Sequence, residues 1–75
     1  MIKYKIDILA ALKEKGYTQT KLLTENLLSG NTVTNLRKGK LINLDSINKI
    51  CILLRCQPGD LLECVPTDGE KIKYF

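Results

Sequence analysis

The sequence predicts an all-α fold, a compact bundle of five short helices with room for short strands at the two termini. Three observations carry this. Apolar residues recur at intervals of three and four through residues 6–15 and 44–54, the period of a helix buried along one side. Thr18, Ser29 and Asn43 stand where helices begin, and Gly16 and Gly39 stand where they would end. Hydrophobic residues make up 44% of the chain but aromatics only 5%, which suits helices packed through aliphatic side chains.

The elements follow in order. Met1 to Lys5 alternates apolar and basic residues and reads as a short strand or a frayed lead. Residues 6–15 form the first helix, with Ile8, Leu9 and Leu12 on one face and Gly16 as its stop. Tyr17 packs beneath the next helix with its hydroxyl at the surface. Thr18 caps a second helix from Gln19 to Thr24 that carries Leu22 and Leu23. Ser29 caps a third over residues 30–38, and Gly39 follows it in a left-handed conformation. Lys40 to Asn43 is a loop, and Asn43 caps a helix from Leu44 to Leu54. Leu44, Ile47, Ile50, Cys51 and Leu54 give it the widest apolar stripe in the chain, read as core. Pro58 opens a last short helix, and Leu61, Leu62 and Val65 close the core from beneath. Pro66 to Gly69 is a turn or linker. The closing GEKIKYF is a loose tail, a strand paired with the N-terminal lead, or a contact for a second subunit, and the sequence does not choose. One domain, 1–66, is thus followed by a tail, 67–75.

The third helix is unlike the others. Only Val33 and Leu36 are large and apolar, and being three apart they share a face. Gly30, Asn31, Thr34, Asn35 and Lys38 lie opposite. Gly30 and the run Asn31–Asn35 cost this helix roughly 3 kcal/mol relative to alanine, so tertiary packing must hold it. A hairpin is the competing local reading, but Val33 and Leu36 would then face opposite sides. A narrow apolar seam below a broad amide-and-hydroxyl face suits a helix that lies in a DNA major groove.

From Gln19 to Gly39 the chain resembles the Cro/CI-type (XRE-like) helix-turn-helix, without a gap. Gln19 matches the residue that opens the family's first helix, and Leu22 its leucine. Leu28 falls on the apolar turn position, Ser29 on the cap, Val33 on the buried aliphatic, Thr34 and Asn35 on the following Ser/Thr and Asn, and Gly39 on the closing glycine. The later stretch LDSINKICILLRCQPGDLLE is similar to the small single-domain YozG-like branch, and VanU-type regulators are of similar size. The resemblance covers roughly residues 4 to 65. It implies a lambda-repressor-like bundle and a bacterial or phage DNA-binding transcription regulator. Three positions depart from the pattern. Leu23 replaces the alanine that lets the two helices approach, Leu27 replaces the turn glycine, and Gly30 replaces a side chain that often reads the first base. A left-handed backbone would strain Leu27, so Asn26 is expected to take that conformation.

The resemblance puts base-edge contact on Asn31 and Asn35, with Gly30 and Thr34 beside them. An Asn amide matches the donor and acceptor on adenine's exposed edge. Thr18 and Gln19 would meet a phosphate where their helix begins. Arg37, Lys38, Lys40 and, more weakly, Lys21 suit the remaining backbone charge. Since one such helix covers about four base pairs, or one site in about 256, the expected partner is double-stranded DNA bound by a homodimer on a palindrome, by tandem copies, or together with a protein partner, and the sequence does not choose among these. A protein-interaction module of the antitoxin-like or partner-docking kind, keeping the fold without reading DNA, is the alternative.

Composition agrees and narrows the classes. The net charge of +4 is uneven: residues 1–40 carry eight Lys/Arg against Asp7, Glu14 and Glu25, whereas residues 41–75 carry four against five acids. The excess lies in the half with the reading helix. No apolar run is long enough for a membrane span and MIKYKIDIL is not a signal peptide, which points to the cytoplasm. Histidine is absent, and Cys51, Cys56 and Cys64 form no CxxC pair and read as small buried side chains. No metal, cofactor or small-molecule ligand is expected. Cys51 or Cys64 would lack an imidazole base, and no carboxylate pair or phosphate loop is present, so no catalytic residue is assigned.

Overall fold

A computed structural model describes residues 1–75. The order is β1 (Ile2–Tyr4), α1 (Ile8–Glu14), α2 (Gln19–Thr24), α3 (Gly30–Arg37), α4 (Leu44–Leu54), α5 (Pro58–Leu61), β2 (Leu62–Cys64) and α6 (Asp68–Tyr74). Six short helices and a two-stranded sheet stand where five helices are expected.

Side-chain caps start five of the six helices, all but α5. Asp7, Thr18, Ser29, Asn43 and Thr67 accept the amides of Ala10, Lys21, Thr32, Ser46 and Glu70 respectively, satisfying donors that the first turn leaves open. The Asp7 cap sets the start of α1 at Ile8, so Ile6 lies outside the helix and is exposed.

Four helices end in the same way. Gly16, Asn26, Gly39 and Arg55 have positive φ, at 90°, 54°, 74° and 55°. After each, an amide folds back onto the helix: Tyr17 to the Leu12 carbonyl (2.8 Å), Leu27 to Leu22 (2.9 Å), Lys40 to Asn35 (2.8 Å) and Cys56 to Cys51 (3.0 Å). This is the left-handed closure that satisfies the last carbonyls. Asn26 therefore takes the strained position and spares Leu27, as the sequence suggests. Arg55 carries no such sequence signal.

The core is one cluster of Ile8, Leu12, Leu22, Leu28, Val33, Ile47, Ile50, Cys51 and Leu61. Each fully buried aliphatic contributes on the order of 1.5–3 kcal/mol by leaving water. α1 packs on α3 and α4, and α5 closes the base beside α4. Leu44 is 80% exposed because it is the first residue of α4 and projects past the bundle, so the stripe narrows to Ile47, Ile50, Cys51 and the half-buried Leu54. Of the three residues expected to close the base, only Leu61 is fully buried. The chain turns extended at Leu62, pairing β2 antiparallel with β1 in the register Ile2↔Cys64 and Tyr4↔Leu62. The N-terminal lead is thus a strand, but its partner is Leu62–Cys64 and not the tail.

Nor is 66–69 a linker. Thr67 caps α6, and Asp68 and Gly69 form its first turn. Met1's ammonium holds the Glu70 carboxylate at 2.8 Å and the Val65 carbonyl at 3.0 Å. The ammonium and the Thr67 amide together lower the Glu70 carboxyl to about 2. Among the cysteines only Cys51 is buried; Cys56 is half-buried and Cys64 is exposed on β2. No helix is long and apolar enough to cross a membrane.

Candidate nucleic-acid interface

α3 is held from beneath. Val33 is 1% exposed and Thr32 9%. The Thr32 hydroxyl lies 2.9 Å from the Ser29 hydroxyl and 3.4 Å from that of Ser46 on α4. A cap, a buried threonine and a neighbouring helix thus fix the start of α3. Leu28, 4% exposed, fills the turn before it. Leu36 packs against the core from the other end.

The expected reading residues lie on the remaining face. Gly30 and Asn31 are exposed, and Thr34 and Asn35 are half-buried. No buried side-chain N or O atom lacks a partner, so the Asn35 amide, unbonded within the chain, reaches solvent. Asn35 also anchors the closing turn through its backbone carbonyl. Gly30 and Leu23 answer one another. A Cβ built on Gly30 would come within 3.9 Å of Leu23 Cδ2, an ordinary contact, so a small residue on α3 meets the enlarged one on α2. Leu23 is accommodated partly at the surface, where it is 42% exposed.

Charge gathers at the far end of α3. Arg37 Nη2 donates to Gln19 Oε1 at 2.8 Å, tying the start of α2 to the last turn of α3. The bond occupies Gln19's acceptor and leaves its amide NH₂ free to donate, with further guanidinium N–H groups beside it. Lys38 and Lys40 are exposed and in no ion pair, because the two present are Met1–Glu70 and Lys21–Glu25. The Tyr4 hydroxyl donates to the Lys40 carbonyl at 2.6 Å and pins the turn to β1; burial raises the Tyr4 pKa. Thr18 spends its hydroxyl on the Lys21 amide, which leaves open amides around Gln19.

Lys21 is drawn aside. Its ammonium stands 5.3 Å from the Tyr17 ring centroid and 4.0 Å from Glu25 Oε2, which cancels part of its charge. Lys13 comes in instead. A shallow hollow of about 640 Å³ lies between α1 and the end of α3, and Lys13, Gln19, Arg37 and Lys38 stand on its rim. Sequence reasoning missed Lys13 because only α1–α3 packing brings it there; its position on the solvent side of α1 is the one available hint. Tyr4 was missed because it reaches the turn after α3 from β1, 36 residues away in the chain.

Such a surface offers amide groups on the outward face of a helix, four cations in no ion pair beside them (Lys13, Arg37, Lys38 and Lys40), and backbone amides at a helix start. Its chemistry suits a polyanion with readable edges.

Comparison with known proteins places the chain. Residues 7–67 match the family described as Cro/C1-type HTH DNA-binding domain. Over 63 residues the chain is 38% identical to the uncharacterized HTH-type transcriptional regulator YozG of Bacillus subtilis (strain 168), covering 77% of this chain and 69% of that protein. No solved structure matches.

Proposed function

Because the chain belongs to the Cro/C1-type helix-turn-helix DNA-binding domain family, we propose that it is a transcriptional regulator that reads double-stranded DNA by laying α3 in the major groove. The observation that supports this most is the polar face of α3: Asn31 exposed and Asn35 half-buried above a fully buried Val33. Asn31 and Asn35 would pair with adenine edges, each good bidentate contact contributing about 1–3 kcal/mol of discrimination. Thr34 would meet a thymine methyl, and Gly30 would let the backbone approach closely.

Phosphates on either side would be held by two groups. The open amides at Thr18 and Gln19 take one, aided by the helix dipole. Lys38, Lys40, Arg37 and Lys13 take the flanking backbone, while Lys21 is the weakest of the cations because Glu25 competes for it. Four such contacts give a log–log salt slope of about −3.6. One α3 reads too few base pairs to find a site in a genome, so two copies would bind a palindrome with half-site centres roughly 34 Å apart.

Selection of bound duplexes from a random pool, followed by titration of the winner at two salt concentrations, tests the reading. A repeated half-site with the stated salt slope is expected. Absence of any salt-sensitive duplex binding would overturn it.

A further inference from the structure

We propose that Tyr4 is a positioning residue for DNA binding: from β1 its hydroxyl holds the loop after α3 so that Lys40 meets the phosphate backbone beside the reading face. The inference rests on the DNA reading above and names how one of its backbone contacts is held in place. The Tyr4 hydroxyl donates to the Lys40 carbonyl at 2.6 Å, across 36 residues of chain.

The loop needs such a hold. Lys38 closes α3, and the helix sets its direction. Lys40 lies beyond Gly39, whose φ of 74° turns the chain out of the helix. The Lys40 amide still bonds the Asn35 carbonyl at 2.8 Å, but the amides of Leu41 and Ile42 make no hydrogen bond within the chain. Regular bonding resumes at Asn43, the cap of α4. The Tyr4 bond is therefore the one hydrogen bond that ties Lys40, Leu41 or Ile42 to an element other than α3. Leu41 is 56% exposed, which leaves the half-buried Ile42 as the loop's apolar anchor.

β1 makes a firm post. Tyr4 pairs with Leu62 on β2. The next residue, Lys5, sends its amide to the carbonyl of the buried Leu61 at 2.8 Å and its ammonium to that of Gly59 at 3.1 Å. The Tyr4 ring packs against the core, and burial raises its pKa, so the phenol keeps its proton and remains a donor.

What the post holds is free to act. Lys40 is exposed and in no ion pair, so no carboxylate of the chain competes for its ammonium. A lysine on an untethered loop must be ordered as DNA binds, and that ordering is subtracted from affinity. Fixing the Lys40 backbone beforehand removes part of it. Because the contact is to phosphate, the effect carries no sequence information.

The test is fluorescence anisotropy titration of the selected and a scrambled duplex at several salt concentrations, with Tyr4→Phe, Lys40→Ala, Lys13→Ala and the two double variants containing Tyr4→Phe. Tyr4→Phe keeps the ring and removes only the donor; circular dichroism and a thermal melt set a temperature at which every variant is folded. It should weaken both duplexes alike, about 3- to 10-fold, as loss of one hydrogen bond does, and make the salt slope shallower by up to about 0.9. In a Lys40→Ala background the same change should weaken binding less than about 2-fold, whereas with Lys13→Ala, on another helix, the losses should multiply. Amide relaxation of the free protein should show Leu41 and Ile42 loosened by Tyr4→Phe. Losses that multiply in both backgrounds with an unchanged slope would show a structural role only and overturn the positioning. A wild type that binds duplex no better than Tyr4→Phe overturns the positioning alone, and a wild type that binds no duplex overturns the DNA reading and the positioning with it.

Discussion

Asn35→Ala separates folding from recognition, because the two should respond with opposite sign. Asn35 lies inside α3, and its side chain makes no hydrogen bond within the chain. Replacing a mid-helix asparagine by alanine favours the helix by about 0.5 kcal/mol. In a domain of this size that raises the melting temperature by about 2–4 °C. Recognition moves the other way. If the amide pairs with a base edge, its loss removes about 1–3 kcal/mol of discrimination, or roughly 5- to 150-fold, at each half-site. The assay is fluorescence anisotropy against the selected duplex and a scrambled one, beside a thermal melt. A more stable protein should bind the selected site more weakly while its scrambled-duplex affinity is nearly unchanged. Unaltered discrimination in a folded variant would refute the assigned reading face. A melting temperature lowered by several degrees would instead show Asn35 to be part of the packing, and the same argument would fail.

Other consequences are checked by simpler measurements. Lys38→Ala should weaken all duplexes alike and make the salt slope shallower by about 0.9, read from titrations at several salt concentrations. Gly39→Ala should destabilise the fold by about 1–2 kcal/mol in a thermal melt. Its φ is 74° and nothing lies within 4 Å of an added Cβ, so strain is the sole cost; Gly59→Ala, in open space without a positive φ, should lack that loss. For α6 the pH sign follows from Glu70. Its carboxyl is lowered, so its anchoring is complete above the ordinary carboxylate range and lost as pH falls through about 2. Amide resonances of α6 should hold their positions through mild acid and shift only near that value, whereas Glu70→Gln should shift them at neutral pH.

What the sequence determined by itself is what depends on neighbours along the chain. The caps at Thr18, Ser29 and Asn43 each act three residues ahead, so residue type and position announce them. Gly16, Gly39 and Asn26 were legible because few residues tolerate a left-handed backbone. Val33 and Leu36 declared the buried side of α3, and with it the outward face that carries Asn31 and Asn35.

Tertiary structure alone decided the rest. The β1–β2 pairing joins residues some sixty positions apart and ends α5 at Leu61, where periodicity carries a helix onward. Arg37 meets Gln19 across 18 residues and Tyr4 meets Lys40 across 36. Lys13 joins the cationic rim only because α1 packs on α3, and Lys21 leaves it because Tyr17 and Glu25 draw it aside. Arg55 adopts its left-handed turn where α4 must give way to α5. Local hydrogen bonds write themselves in residue types at fixed spacing, whereas partners brought together by a shared core leave no such spacing to read.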